Sequence, residues 1–271
     1  MVIRVNIGCG RTPTQGWLNL DNSMSLRLLH YHFFILILQK LNLINRSQLE
    51  FIQFARENKI VYGDATKGLK LQGETVDVIY SSHMFEHLDK IDASIFLVES
   101  FRVLRPGGII RIVVPDIKKF ISIYNETEDA DDFIEATYLC VPRPRSFKDL
   151  ISFFLVGARH HQWMYDGRSL SKILMKFGFI NSVILSPGQT KIMDYGLLDL
   201  WERSTESIFV EAMKPDLPPI NRTSHISKKS ITLENDGHEN KQIQRRADHW
   251  FSAVGRSRHA DQGTWAQARL Q

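Results

Sequence analysis

The sequence predicts an α/β fold, a mainly parallel sheet whose strands are joined by helices. Three observations carry that expectation. Strand-like apolar runs recur between residues 2 and 213, with helical stretches between them. The first run ends in a glycine turn, "GCG" at 8–10, which lets backbone approach a ligand closely. A "RPGG" stop at 105–108 precedes a strand that is apolar almost throughout, as a strand covered on both faces is.

The elements follow in order. "VIRVNI" (2–7) sets Ile3, Val5 and Ile7 on one face of a first strand, and "GWLNLD" (16–21) is a short second strand. Between them lie Pro13 and Gly16, and only eleven positions separate Gly10 from Asp21, so a loop or turn replaces the usual first helix. An apolar helical segment spans about 25–43. The next helix opens at Ser47, where Glu50 three residues on suggests a capping box. "KIVYGD" (59–64) and "VDVIYSS" (76–82) are the third and fourth strands. A helix through "DASIFLVESFRVL" has Leu97, Phe101 and Leu104 at helical spacing, and "IIRIVVPD" (109–116) is the fifth strand. Residues 117–168 break the rhythm with "VPRPR" and "RHHQWMYDG" and are expected to be irregular. In "SLSKILMKFGF", Leu170, Ile173, Leu174 and Phe177 share a helix face that Gly178 terminates. "INSVIL" and "ESIFVEAM" complete seven strands.

Composition narrows the class. The formal charge is +4, but residues 215–271 hold nine Lys/Arg against six Asp/Glu, so basicity belongs mainly to the tail. A balance this even does not favour nucleic acid, which needs clustered cations. Cys9 and Cys140 give neither a disulfide framework nor metal spacing. A secretory leader is not expected, and the reading is a reduced, cytoplasmic protein. In "LRLLHYHFFILILQKLNLI" (26–44) the uninterrupted apolar run covers only Phe33 to Leu38, short of the roughly 20 residues of a spanning helix. A core helix is the first reading of that segment, and a peripheral membrane or lipid contact is the second. Residues 1–214 are expected to form one domain and 215–271 a mostly disordered polar, basic tail.

"VNIGCG", "VYGDA…VDVIYSSHMFEHL" and "ESFRVLRPGGIIRIVVPD" together resemble class I S-adenosylmethionine-dependent methyltransferases. The likeness is to small bacterial members, of a type-11-like family, found near sugar and cell-surface biosynthesis functions. It implies a Rossmann-like methyltransferase sandwich, S-adenosyl-L-methionine as cofactor, and a small-molecule acceptor methylated on oxygen, less readily on nitrogen. The resemblance assigns Ile7, Gly8, Cys9, Gly10 and Arg11 to the methionine part of the cofactor, Asp21 to the ribose hydroxyls, and Asp64 with Ala65 to adenine. Ser81, Ser82 and His83 complete the cofactor edge. A dinucleotide site fits less well: position 13 is proline where a third glycine opens a pyrophosphate-facing helix.

"SSHMFEHL" (81–88) is the hardest motif. His83, Glu86 and His87 stand at helical spacing, an inverted zinc-protease pattern that its place after a sheet strand argues against. It also resembles the E-x-x-E-H of cation-dependent RNA-end and small-molecule methyltransferases, with His83 in place of the first Glu. No metal is assigned here. "ARHHQWMYDG" (158–167) lies where the family builds its acceptor pocket, and His160, His161, Trp163 and Tyr165 are read as an aromatic wall. His87 and His161 are the candidate bases for a hydroxyl acceptor. A metal-assisted enzyme and a non-catalytic cofactor-binding scaffold are the alternatives.

Overall fold

The computed structural model describes residues 2–28, 40, 46–140 and 160–216. Met1–Asp216 is one compact unit. Seven strands form a single sheet: β1 (Arg4–Ile7), β2 (Leu18–Asp21), β3 (Val61–Tyr62), β4 (Val76–Ser82), β5 (Leu104–Pro115), β6 (Ile180–Leu185) and β7 (Ser207–Met213). Their order is β3-β2-β1-β4-β5-β7-β6. The five strands β3 to β5 run parallel, and β7 runs antiparallel to both β5 and β6. This is the Rossmann-like sheet that the sequence implies. The strand order reverses between β1 and β4, so the crevice beyond their carboxyl ends is where such a sheet collects ligands.

The described helices are α1 (Met24–Leu28), α2 (Arg46–Glu57), α3 (Lys90–Val103), α4 (Ile117–Thr127), α5 (Ala130–Thr137) and α6 (Gly167–Lys176). Asp89 caps α3 by accepting from the Ile91 and Asp92 N–H groups, and Phe96, Leu97 and Val103 pack against the sheet. α6 buries Leu170 and Leu174, with Ile173 and Phe177 beside them, and Gly178 takes φ +91° just after it. β5 sends Ile110, Ile112 and Val114 into this main core and Val113 into a second, around Trp17, Tyr80 and Phe209. A strand covered on both faces explains an apolar run that only Arg111 breaks, and that side chain is buried against Glu211 at 2.6 Å.

Three expectations change. Ser47 lies inside α2, and Glu50 accepts from Arg46 Nε at 3.0 Å instead of closing a capping box. "RPGG" does not separate α3 from β5. The strand starts at Leu104, pairs it with Val76, and resumes at Val78–Ile109 past an irregularity. Gly107 has φ +71° there, and a Cβ on Gly108 would fall 2.9 Å from the Arg105 carbonyl oxygen. Residues 117–137 are not irregular but form α4 and α5, with Asp116 and Asp129 as N-caps. The signal was legible: an aspartate precedes each apolar stripe. The run Phe33–Leu38 and the tail beyond Asp216 lie outside the described residues. Among the described residues no helix is long and apolar enough to cross a membrane.

Candidate active site

The turn after β1 is held by hydrogen bonds from the Gly8 and Cys9 N–H groups to the Leu20 carbonyl, at 2.8 and 3.1 Å. Gly8 has φ +74°, and a Cβ on it would lie 2.4 Å from Met84 Cγ. Gly10 differs: at φ +48° its added Cβ meets no atom within 4 Å, so the loop is open on that side. Asp21 closes the loop from β2, accepting from Gly10 N on Oδ2 at 3.0 Å and from Ser23 N on Oδ1 at 2.9 Å. Each oxygen keeps a lone pair for a further donor.

Two buried amides replace the missing helix. Asn6 and Asn19 are register partners on β1 and β2. Asn6 Nδ2 donates to the Thr12 carbonyl and Thr14 Oγ1, at 3.1 and 3.2 Å. Asn19 accepts from Thr14 N at 2.8 Å and donates to the Thr14 and Trp17 carbonyls, at 3.0 and 3.1 Å. These bonds satisfy loop polar groups that burial would otherwise penalise. Sequence reasoning passed over both asparagines, although an alternating "N-I…N-L" at two strand ends was there to read.

The other expected cofactor positions divide. Ile7, Cys9 and Ala65 are buried in the core, so backbone is what they offer to a ligand. Burial, then the charge of Asp21, pushes the Cys9 thiol up to about 12, which keeps it protonated. Arg11 turns towards α2, over the Phe51 and Phe54 rings and bonded to the Ser47 carbonyl. Asp64 Oδ1 accepts from both Thr66 N and Thr66 Oγ1, and Oδ2 accepts from Lys67 Nζ. Burial pushes this carboxyl up, but the bonds from Lys67 and Thr66 outweigh it and hold the group below the usual carboxylate range. Only Oδ2 retains capacity for a new donor.

At the end of β4, Ser81 is fully buried, and its hydroxyl has no hydrogen-bond partner among the described residues. Ser82 is buried beside it. His83 then takes a left-handed backbone, φ +48°, and its Nε2 lies 2.7 Å from Ser207 Oγ. This turns the chain into a short 3₁₀ turn, Phe85–His87. Glu86 is 1% exposed, and neither carboxyl oxygen has a hydrogen-bond partner among the described residues. His83 Nδ1 stands 3.5 Å from Glu86 Oε1, while His87 Nε2 and His161 Nε2 each stand 3.9 Å from it. Burial raises Glu86 to about 8 and lowers His83 to about 3 and His161 to about 4, with His87 lowered for the same reason. The cluster is therefore a set of neutral groups rather than ion pairs.

The expected aromatic wall does not form. Tyr165 lies in the core against Phe85, with ring centroids 5.2 Å apart. Trp163 is exposed under Lys90 Nζ. Of the motif's four aromatic side chains, His161 is what reaches the cluster, edge-on to His87 at 5.0 Å. The segment is pinned there by hydrogen bonds from Gln162 N and Trp163 N to the Glu86 carbonyl, at 2.7 and 3.1 Å.

Residues 5–112 match a family model described as a methyltransferase domain. That match gives the chain a methyltransferase domain over these residues. Similar solved structures include a S-adenosylmethionine-dependent methyltransferase of Thermotoga maritima, a possible histamine N-methyltransferase, at 13% identity and TM-score 0.44 over 79% of this chain and 83% of that one. Another is a S-adenosylmethionine-dependent methyltransferase of Methanosarcina mazei, at 14% identity and TM-score 0.44 over 78% and 92%. A third, from Archaeoglobus fulgidus, has 18% identity and TM-score 0.39 over 79% and 86%. No curated protein matches the chain.

The residues of the methyltransferase domain fit its cofactor. The loop is open at Gly10, where a side chain would intrude, and Asp21 keeps the acceptor capacity that two neighbouring hydroxyls require. Bound S-adenosylmethionine supplies a methyl group on a positively charged sulfur. Backbone at Gly8–Gly10 and the carboxylate of Asp21 would hold it over the carboxyl ends of β1 and β2.

Proposed function

We propose that this domain methylates an oxygen, less readily a nitrogen, of a small metabolite or sugar-like cell-surface precursor. The observation that carries the reading is the adjacency of the two halves of the crevice. Met84, from the turn that bears Glu86 and His87, packs directly over Gly8 of the cofactor loop. An acceptor at the Glu86–His87–His161 cluster would therefore lie beside the cofactor's reactive end.

The polar atoms of that cluster suit a hydroxyl. His87 Nδ1 faces the His160 carbonyl at 3.2 Å, and His161 Nδ1 faces the Thr137 carbonyl at 2.8 Å. A carbonyl only accepts, so each Nδ1 carries the hydrogen and each Nε2 presents a lone pair. Two such nitrogens, beside the Glu86 carboxyl, supply the lone pairs that can position an acceptor's oxygen. Methyl transfer is a displacement in line at carbon, so orientation supplies much of the rate. Domain boundaries near residue 214 and a tail dispensable for cofactor binding belong to the same proposal.

The test is incubation of the full chain with methyl-labelled S-adenosylmethionine and cell extract, followed by fractionation. Label in a small, base-stable metabolite pool is expected. Cofactor binding by calorimetry with no label in any fraction would remove the enzymatic part of the reading and leave a binding module.

A further inference from the structure

We infer that Glu86, His87 and His161 together form a binding site for one divalent transition-metal cation, placed to coordinate the acceptor's hydroxyl oxygen. The ligand atoms Glu86 Oε1, His87 Nε2 and His161 Nε2 all lie within 4.8 Å of one another. Ligand bonds of about 2.0–2.2 Å set atoms in one coordination sphere about 3–4 Å apart. The two separations from Glu86 Oε1, 3.9 Å each, already fall there.

The surroundings of the three atoms favour a cation over a structural role. Three lone-pair donors converge, and both oxygens of a carboxyl that is 1% exposed lack a hydrogen-bond donor among the described residues. Leaving such a group without a partner is unfavourable, and a bound cation would remove that cost. The rings are also oriented as metal ligands are. Each imidazole spends its Nδ1–H on a backbone carbonyl, His160 for His87 and Thr137 for His161, which fixes the tautomer and turns Nε2 inward. The site has an entry, because the His87 side chain keeps 31% of its exposure while Glu86 lies beneath it.

The donor set names the class of ion. Two imidazoles and one carboxylate suit zinc, iron(II), cobalt(II) or manganese(II) better than an all-oxygen ion such as magnesium or calcium. Three protein ligands leave a position for an exogenous oxygen. On the proposed function, that oxygen is the acceptor hydroxyl. Coordination lowers its pKa, its O–H bond breaks with the proton passing to solvent water, and the electron pair stays on oxygen as the nucleophile. The linear motif H-x-x-E-H would instead have recruited His83. That ring bonds Ser207 through Nε2 and brings Nδ1 to 3.5 Å from Glu86 Oε1, but the atoms that converge on one another are those of Glu86, His87 and His161, the last from a segment far along the chain.

The experiment uses the full chain, stripped with a chelator and titrated with cobalt(II). Binding is read by calorimetry and by the visible absorption of coordinated cobalt. One ion per chain is expected, with affinity reduced at least tenfold in Glu86→Gln and in His161→Gln, and retained in His83→Gln. Far-ultraviolet circular dichroism and a thermal melt of the same samples without metal report that each variant is folded. No cobalt binding by the wild-type chain, with cofactor binding intact, would overturn the site and leave a proton shared among these groups. Equal binding by wild type, Glu86→Gln and His161→Gln would overturn it as well, and loss in His83→Gln alone would restore the linear motif. The inference rests on the proposed function only for the cation's use. Cobalt binding without methyl transfer to any hydroxyl would keep the site and discard the acceptor.

Discussion

The two halves of the crevice treat their central polar groups differently. On the β1–β2 side, the buried amides of Asn6 and Asn19 and the Asp21 carboxylate meet donors and acceptors of the loop they hold. On the β4 side, Ser81 Oγ and both Glu86 oxygens are buried with no partner among the described residues. The first arrangement builds a rigid shape, since satisfied buried polar groups specify one conformation. The second stores unmet hydrogen-bonding capacity where a ligand can use it. A loop without a helix thus owes its geometry to side-chain amides, and the role proposed for the Phe85–His87 turn rests on what that turn leaves open.

The largest expected effect lies in the satisfied half. Gly8→Val places side-chain carbon against Met84 and forces a β-branched residue to positive φ. The left-handed backbone costs about 1–2 kcal/mol and the overpacking about 1–3 kcal/mol. Urea denaturation should therefore show a loss of several kcal/mol, together with loss of cofactor binding. Unchanged stability would mean that Met84 simply moves away and that the two halves are not coupled.

Asn19→Ala removes three hydrogen bonds and leaves Thr14 N buried, a cost of about 1–3 kcal/mol. Its cofactor affinity should fall while cobalt binding at the Glu86 cluster is kept, which separates frame from ligand site. Asp21→Asn is milder for folding. It should weaken cofactor binding about tenfold, roughly 1.4 kcal/mol, in a calorimetric titration at neutral pH. An affinity equal to wild type would confine Asp21 to its backbone contacts with Gly10 and Ser23.

Asp64 gives a pH dependence with a definite sign. Its carboxyl is held below its ordinary value in the folded chain, so its stabilisation is complete above the unfolded value of about 3.9 and fades as the pH falls through the folded one. Thermal melts of Asp64→Asn should accordingly lie below wild type at pH 6 and converge with it in acid. A gap that persists below pH 2 would show that the contact with Lys67 is not what Asp64 contributes.

The smallest effect belongs to the unsatisfied half. Glu86→Gln breaks no hydrogen bond among the described residues, so the metal-free protein should keep its stability within about 1 kcal/mol. A loss of several kcal/mol in urea would mark Glu86 as part of the frame and erase the contrast between the halves.

What local pattern controls was legible in the sequence. Strand alternation, the two close glycines, the shortened first connection and the carboxylate of Asp21 follow from spacing along neighbouring residues, and the sheet places them as expected. Two further helices were missed because prolines and aromatics downstream drew the whole region into one irregular reading, although Asp116 and Asp129 mark their starts.

Side-chain destinations were not legible. Arg11 lies over the α2 rings, Tyr165 enters the core, and Asp64 is occupied by Thr66 and Lys67, because each choice depends on packing against distant residues. The partner of Glu86 and His87 is the clearest case. Sequence proximity points to His83, three positions before Glu86. The fold adds His161 through carbonyl contacts at Glu86, Tyr138 and Thr137, after the chain has passed through β5, α4 and α5, and this ring, not His83, also meets His87. Periodicity reports which face of an element is buried, and it carries no information about which loops two crossovers later will meet there.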